Sequence, residues 1–237
     1  MGSELRKDMP VLQVTDLSKD YMIDDQRLKA VDNVSFTADR GEMISIVGHS
    51  GSGKTTLLSL IGGLTKPDRG RVLIDGTDLW ALDDRKRSEL RSRRVSFIYQ
   101  FSSLIPTLTA LENIILPTTF GDFSADVEQY ARELLGIVGL EDKARSYPSH
   151  LSGGQQRRIA IARAFINNPE IVLADEPTGD LDEETEQQII ALFKRMNGEK
   201  KVTFIIVTHN REIADRTSRQ MRMSNGVLVA QEQGNHL

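Results

Sequence analysis

Residues 43–55 read MISIVGHSGSGKT, a short strand-like run followed at once by a glycine-rich loop. From Gly48 to Thr55 the loop has the spacing G-x-x-x-x-G-K-[ST], which is typical of a phosphate-binding turn between a strand and a helix. Glycines let backbone N–H groups approach phosphate oxygens because no Cβ is in the way. The following helix would offer its positive N-terminus to the same anion. The alternative is a Gly/Ser-rich surface turn, which would not need a strand before it and the apolar pair Leu57 and Leu58 after it.

The residues of this loop have separate predicted roles. Lys54 would reach the β- and γ-phosphates of a nucleotide, and Thr55 would give its hydroxyl to Mg²⁺. The sequence therefore predicts a site for a nucleoside triphosphate with Mg²⁺. The predicted phosphate-binding residues are Gly48, His49, Ser50, Gly51, Ser52, Gly53, Lys54, Thr55 and Thr56.

Two further runs share the features of residues 43–47. Residues 171–174 and 203–207 are short, apolar and rich in β-branched side chains, and polar residues follow both. Helical patterns lie between the three runs, so a parallel sheet covered by helices is the economical arrangement. Ligands of such sheets bind beyond the carboxyl ends of the strands. The sequence therefore predicts an α/β fold with its site at that edge.

One candidate metal ligand and two candidate catalytic residues follow these strands, and Lys54 is a further catalytic candidate. Asp175 is predicted to bind Mg²⁺, which prefers one or two carboxylates and retained waters. Successive side chains of a strand point to opposite sides, so Glu176 would face the attacking water as general base or orienting group. His209 could hydrogen-bond the γ-phosphate. Taken alone, the acidic pair also fits a solvent-facing strand end, and His209 an ordinary surface histidine; the phosphate loop favours the catalytic interpretation of the pair.

A second glycine motif occupies residues 151–155, which read LSGGQ. Ser152 and Gln155 have the spacing of a capping box, which predicts a helix that begins here. With Gly153 and Gly154 they would form a second anion site at a helix N-terminus. One chain with one nucleotide has no evident use for it, whereas two chains packed head to tail could each present it to the other's γ-phosphate. A simple capping turn explains the motif equally well.

These motifs together resemble the ABC ATPase family over almost the whole chain, and LSGGQ is the signature sequence of that family. The resemblance implies that Tyr21 stacks on adenine. It also implies that Gln100 is a catalytic residue, which contacts Mg²⁺ and the attacking water and links the site to membrane subunits. Residues 179–182 match the D-loop, so Asp182 is counted among the nucleotide-binding residues, and His209 matches the switch histidine.

The resemblance also implies the architecture. We expect a P-loop NTPase core with a parallel sheet flanked by helices, an antiparallel β subdomain near the N-terminus and an inserted helical subdomain. Residues 10–237 would form one ATP-binding domain, with its core at about 10–100 and 155–237 and the insertion at about 101–154. Residues 1–9 would be an N-terminal extension or tag remnant. Helices are predicted near 127–135 and from Asp182 to about Asn197-Gly198, where the charge order complements a helix dipole.

The function implied by the resemblance is ATP hydrolysis by two subunits that close around two ATP molecules and drive a separate integral membrane subunit. The chain carries one set of motifs, so it would form a homodimer or pair with a similar chain. Residues 104–113 and 174–182 are similar to the lipoprotein-releasing and macrolide-export type. The alternatives are an ABC ATPase that regulates a cell-wall or division machine, and a soluble ABC ATPase. His49, Tyr99, Arg157 and Asp180 depart from the residues common in the family.

Composition and charge exclude several other classes of protein. The chain has 237 residues, a net charge of −4 and no cysteine, which argues against a nucleic-acid partner bound by bulk charge and excludes disulfides and thiol chemistry. No apolar run approaches the about 20 residues of a membrane span. We therefore expect a cytoplasmic protein, held at the inner face of the plasma membrane by its membrane subunit. A basic cluster at 85–94 is predicted to be a solvated helix face, because acidic residues are interleaved with it.

Overall fold

The computed structural model describes residues 9–120, 126–179 and 181–230, so Asp180 and nearly all of the predicted extension at 1–9 lie outside the described residues. The strands are β1 Leu12–Ile23, β2 Gln26–Ala38, β3 Met43–Val47, β4 Arg69–Ile74, β5 Thr77–Asp78, β6 Val95–Ile98, β7 Ile171–Asp175, β8 Thr203–Thr208, β9 Arg219–Ser224 and β10 Val227–Ala230. The α-helices are α1 Lys54–Ile61, α2 Asp84–Arg94, α3 Ala110–Ile115, α4 Val127–Ile137, α5 Gly153–Phe165, α6 Glu183–Lys200 and α7 Arg211–Asp215. Short 3₁₀ helices are formed by Leu116–Phe120, Glu141–Lys143 and Pro148–His150. In these ranges no helix combines the length and the apolar character that crossing a membrane requires.

Parallel strands form the centre of the fold. One sheet has the order β10-β9-β3-β8-β7-β6, and every neighbouring pair except β9 with β10 is parallel. The three predicted strands coincide with β3, β7 and β8 to within one residue, and their residues Ile44, Leu173 and Ile205 are fully buried. Because these strands are covered on both faces, they form continuous apolar runs in the sequence. The predicted parallel α/β sheet is confirmed.

An antiparallel sheet, ordered β2-β1-β4-β5, covers one face of the parallel sheet together with α1. Leu57 and Leu60 of α1 belong to a buried cluster with Leu12 and Val31 from the antiparallel sheet and Ile46 from the parallel one. The expected antiparallel β subdomain near the N-terminus is confirmed. Because α1 begins directly after the glycine-rich loop, this packing also fixes the position of the loop.

Helices α3, α4, α5 and α6 cover the opposite face. Phe165 of α5 and Phe193 of α6 pack on Phe204 of β8, with ring centroids 6.3 and 5.0 Å from its centroid. Helix α4 confirms the helical run predicted near 127–135, and α5 begins directly after Ser152, as the capping-box spacing predicted. Helix α5 packs against α3, α4 and β6, so it joins the core to the helices before it. The division into subdomains at about residue 154 stays a prediction.

The predicted end of α6 at Asn197-Gly198 is wrong. The helix continues to Lys200, and Lys201 ends it with a left-handed φ of 56°. The side-chain amide of Asn197 donates to the backbone oxygens of Gly41 and Val202, at 2.7 and 2.9 Å. Asn197 therefore anchors the helix to the core, and the Asn-Gly pair does not terminate it.

Helix α2 carries the basic cluster and has no buried residue. Ion pairs such as Arg93 with Glu89, at 3.2 Å, match the predicted solvated face. Arg91 behaves differently, because it donates to the backbone oxygen of Gly63 at 2.6 Å. The cluster therefore also holds α2 on the core, which the spacing of its charges did not indicate.

Candidate nucleotide site

The glycine-rich loop joins the end of β3 to the start of α1, and two of its glycines are required by close packing. A Cβ on Gly53 would lie 2.0 Å from the backbone oxygen of Ala30, and a Cβ on Gly48 would lie 2.3 Å from that of Met223. Gly53 also has a φ of 102°, which L side chains rarely adopt. A Cβ on Gly51, by contrast, would meet no atom within 4 Å. The loop is thus packed tightly on β2 and β9 and has open space at Gly51.

Hydrogen-bond donors are concentrated inside this loop. The buried Lys54 donates from Nζ to the backbone oxygens of Gly48 and His49, at 2.7 and 3.0 Å. The hydroxyl of Ser52 is buried without a hydrogen-bond partner among the described residues. A buried hydroxyl without a partner is unfavourable, and the N-terminus of α1 adds a positive dipole at the same place. This set of donors fits an anionic ligand such as a phosphate.

Asp175 ends β7 beside the loop, where it accepts a hydrogen bond from the Thr55 side chain. Burial raises the pKa of Asp175 above its usual value, and the neighbouring charge of Glu176 adds to the rise. The Thr55 hydrogen bond and the positive charges of Lys54 and Arg157 act in the opposite direction. A partly buried carboxylate bonded to a threonine hydroxyl is a suitable pair of oxygen ligands for Mg²⁺.

Glu176 leaves the strand instead of continuing it, so the strand-alternation argument for its direction is wrong. Its φ is 45°, in the left-handed region. Its carboxylate accepts hydrogen bonds from Thr208 Oγ1 at 3.0 Å and from the backbone N–H of His209 at 3.3 Å. The Nδ1 atom of His209 lies 2.9 Å from Glu176 Oε1. The structure therefore separates Glu176 from Asp175 by a backbone turn and pairs it with His209, and the sequence did not indicate the part played by Thr208.

Most of the predicted residues line one cavity of about 650 Å³. It lies at the carboxyl ends of β3, β7 and β8, as expected for a site in a parallel sheet. The predicted residues that line it are Tyr21, Gly48, His49, Ser50, Gly51, Ser52, Gly53, Lys54, Thr55, Thr56, Gln100, Asp175, Glu176 and His209.

The cavity also has an apolar wall, of which the sequence indicated only Tyr21. Tyr21 of β1 and Leu28 of β2 are directly paired across the antiparallel sheet, and both are exposed in the cavity wall. Exposed aromatic and aliphatic side chains at this spacing form a surface for a flat heteroaromatic ring. Leu28 and Ala30 are the two residues of the cavity lining that the sequence did not indicate.

The LSGGQ segment lies outside this cavity. Ser152 Oγ accepts from the backbone N–H of Gln155 at 3.2 Å, and Gln155 Oε1 accepts from that of Ser152 at 3.0 Å, so the capping box is present. A Cβ on Gly153 would meet no atom within 4 Å, and one on Gly154 would make only ordinary contacts. The structure thus places an exposed helix N-terminus here, and the packing of the chain does not require its glycines.

Asp182 is also absent from the lining of the nucleotide cavity. Its carboxylate caps α6 and accepts from the Thr185 backbone N–H at 2.9 Å and from the Thr185 hydroxyl at 2.8 Å. The predicted contact of Asp182 with nucleotide stays a prediction.

A larger groove of about 870 Å³ shares no lining residue with the nucleotide cavity. We call it the α2 groove; its lining includes Arg85, Arg91, Arg93, Phe97, Pro117 and Arg163. The ring of Phe97 stacks on that of Tyr99, with centroids 5.6 Å apart and planes 4° from parallel. Because Gln100 follows Tyr99, one short segment connects the α2 groove to the nucleotide cavity.

The parallel sheet, the glycine-rich loop and the acidic pair at the strand ends define this protein as a P-loop nucleoside triphosphatase. A protein-family model described as ABC transporter matches residues 31–179. The chain belongs to the ABC transporter ATPase family, and it is an ATPase.

Solved structures of the ATP-binding cassette MJ0796 are similar to this chain over most of its length. Two of them each show 40% identity and a TM-score of 0.86, and each comparison covers 92% of this chain and 96% of the other. One is described as a dimeric post-hydrolysis state bound to ADP and Pi, and the other as a dimeric structure of a bacterial ABC transporter cassette.

Proposed function

We propose that this ATPase works as a dimer that binds two ATP molecules head to tail and drives an integral membrane subunit. The main support for this proposal is that the nucleotide site of a single chain is incomplete. The cavity contains the phosphate loop and both carboxylates, whereas the helix end at Ser152–Gln155 lies outside it on the same chain. A second copy, or a similar ATPase chain, would bring its own helix end to the γ-phosphate. The dimeric structures of MJ0796 support this pairing.

ATP binding uses the two walls of the cavity. Adenine stacks on Tyr21 and Leu28, and residues 48–56 bind the phosphates through backbone N–H groups and Lys54. From the partner subunit, the helix N-terminus at Ser152–Gln155 would face the γ-phosphate. The charge on that phosphate would then hold the two subunits together.

Mg²⁺ fits at the junction of the loop and the sheet. Thr55, Asp175 and Gln100 would hold it, since all three offer oxygen atoms and line the same cavity. When bound, Mg²⁺ neutralises charge on the phosphates during their transfer.

Glu176 is the proposed general base for hydrolysis. The hydrogen bonds from Thr208 and His209 orient its largely buried carboxylate in the cavity wall. Glu176 takes one proton from the attacking water while the water oxygen bonds to the γ-phosphorus and the bond to the ADP oxygen breaks. Because Nδ1 of His209 faces Glu176, its Nε2 is the ring atom available to the γ-phosphate.

The test of this mechanism is Glu176→Gln, with Glu199→Gln as a matched control in an exposed ion pair on α6. Glu176→Gln should bind ATP with Mg²⁺, hydrolyse it at least about 100-fold more slowly and form a stable dimer. Glu199→Gln should hydrolyse ATP at the wild-type rate. Light scattering and phosphate release are the measurements. If Glu176→Gln hydrolyses ATP at the wild-type rate, Glu176 is not the general base. If this variant remains a monomer in ATP and Mg²⁺, the dimer does not form without the membrane subunit.

The α2 groove supports a protein partner. Four arginines line it, and the nearby Phe101 is an apolar side chain with 75% of its surface exposed. A segment with carboxylates and apolar side chains would fit this surface. We propose that the partner is an integral membrane subunit of the lipoprotein-releasing or macrolide-export type, and that it holds the ATPase at the cytoplasmic face of the plasma membrane. The similarity of residues 104–113 and 174–182 to that type supports this choice.

A pull-down from detergent-solubilised membranes tests the partner. The bait is Glu176→Gln with ATP. The control bait adds Arg85→Glu and Arg93→Glu, which reverse the charge of two exposed arginines in the α2 groove and keep the Arg91 contact that holds α2 on the core. We expect the first bait to recover a membrane protein and the second to lose it. If both baits recover only soluble proteins, the transport role is wrong although the ATPase chemistry stands.

A further inference from the structure

Arg157 of α5 is almost completely buried, with 3% of its surface exposed. Its guanidinium donates from Nε to Pro177 O at 2.9 Å, from Nη2 to Glu176 O at 2.8 Å, and from Nη1 to Tyr99 O. Two of these acceptors belong to the turn after β7, and the third belongs to the segment that leads from β6 to Gln100. One side chain therefore joins α5, the Glu176 turn and the Gln100 segment.

The Glu176 turn needs support from its surroundings. A left-handed φ of 45° is unfavourable for a residue with a Cβ, and it persists only where neighbouring contacts fix the backbone. Arg157 binds two consecutive carbonyls of this turn, which the planar fork of a guanidinium can do at once. The backbone N–H of Glu176 is bound separately to Val207 O at 2.9 Å. Arg157 thus contributes to holding the catalytic carboxylate in place, although it does not line the nucleotide cavity itself.

Core packing alone does not explain an arginine here. Burying a guanidinium is unfavourable unless its N–H groups are hydrogen-bonded, and an apolar side chain of similar length would fill the same space without that penalty. What an apolar side chain cannot do is hydrogen-bond to the Glu176 turn and to the Gln100 segment. The arginine at position 157 is therefore explained by the hydrogen bonds with which it connects these two segments.

We propose that Arg157 is a positioning residue, which fixes Glu176 and the Gln100 segment relative to α5. A movement of the helix end at Ser152 then shifts both groups together. The inference rests on the proposed roles of Glu176 and Gln100. Arg157 belongs neither to the phosphate loop nor to the apolar wall of the nucleotide cavity. Its loss should therefore slow the chemical step and leave ATP binding largely intact.

Steady-state ATP hydrolysis by Arg157→Met and Arg157→Lys tests the proposal. Arg157→Met should lower kcat by about 10- to 100-fold while the KM for ATP changes by less than about threefold. Lysine keeps the charge but cannot span three acceptors, so Arg157→Lys should recover part of the lost kcat. The control is Arg219→Met, because Arg219 also donates to a backbone oxygen, that of Thr37, but at the start of β9. It should lower the melting temperature without changing kcat.

The outcomes separate this inference from the proposed function. A wild-type kcat for Arg157→Met, measured beside an inactive Glu176→Gln, would overturn the positioning role alone. The positioning role would also be overturned if kcat and the binding of a fluorescent nucleotide both fell in proportion to the melting temperature. Arg157 would then be a structural residue only. Full activity of Glu176→Gln would instead remove the proposed function on which the inference rests.

Discussion

Replacing Gly53 by alanine should displace the phosphate loop from β2. The new Cβ would lie 2.0 Å from the Ala30 backbone oxygen, and contacts below 3.0 Å are essentially never seen, so β2 or the loop must move by about 1 Å. A φ of 102° on alanine costs about 1–3 kcal/mol, and the overpacking costs about 1–3 kcal/mol more. We expect the free energy of unfolding to fall by about 2–6 kcal/mol, which is a large part of the roughly 5–15 kcal/mol of a typical domain.

The measurement is urea unfolding, with ATP affinity determined on the same samples. Gly198→Ala is the matched control, because a Cβ at this helical position of α6 meets no atom within 4 Å. It should raise the free energy of unfolding by about 0.5–1 kcal/mol and leave ATP affinity unchanged. Gly53→Ala should bind ATP at least about tenfold more weakly, since the loop N–H groups are displaced. Wild-type stability and affinity in Gly53→Ala would refute the packing argument.

Three further predictions concern the charge in the loop, the adenine surface and an ion pair remote from both. Lys54→Ala should abolish nucleotide binding or hydrolysis, since it removes the cation at the phosphates; full activity would contradict the phosphate-loop assignment. Leu28→Ala should raise the KM for ATP several-fold with kcat unchanged, because it removes binding shared by ground and transition states; an unchanged KM would exclude Leu28 from the adenine surface. A hydrogen bond from Arg94 lowers the pKa of Asp75 below its usual 3.8, so this carboxylate stabilises the fold above that pH and the stabilisation is lost as the pH falls through the lowered pKa. Asp75→Asn should therefore lower the free energy of unfolding by about 1–3 kcal/mol at pH 7, and its urea midpoints should converge with those of the wild type below pH 3.8; a constant difference would refute the linkage.

The central sheet could be predicted from the sequence because burial on both faces leaves a direct pattern. Strands β3, β7 and β8 are short apolar runs, and the polar residues after them lie at one edge by geometry alone. For the same reason the sequence predicts that Lys54, Asp175 and Glu176 lie together, and all three line one cavity in the structure. The capping box at Ser152 was equally visible, since it needs only two side chains three residues apart.

Features that depend on the backbone at one position could not be predicted in this way. Leu28 faces Tyr21 because Asp24 and Asp25 both have a positive φ, and this tight turn sets the register of the hairpin. An Asp-Asp pair is a weak signal for such a turn. The direction of Glu176 likewise depends on a left-handed φ that no periodicity reveals.

The two glycine motifs need glycine for different reasons. Gly48 and Gly53 lie against backbone oxygens of the same chain, so packing explains both. Gly153 and Gly154 have room for a Cβ, yet glycine in a helix costs about 0.5–1 kcal/mol relative to alanine. Among the described residues of one chain, no contact with Gly153 or Gly154 is close enough to require glycine at this exposed helix end. In the proposed dimer, the γ-phosphate on the partner subunit would approach these backbone N–H groups closely, and glycine leaves room for that approach.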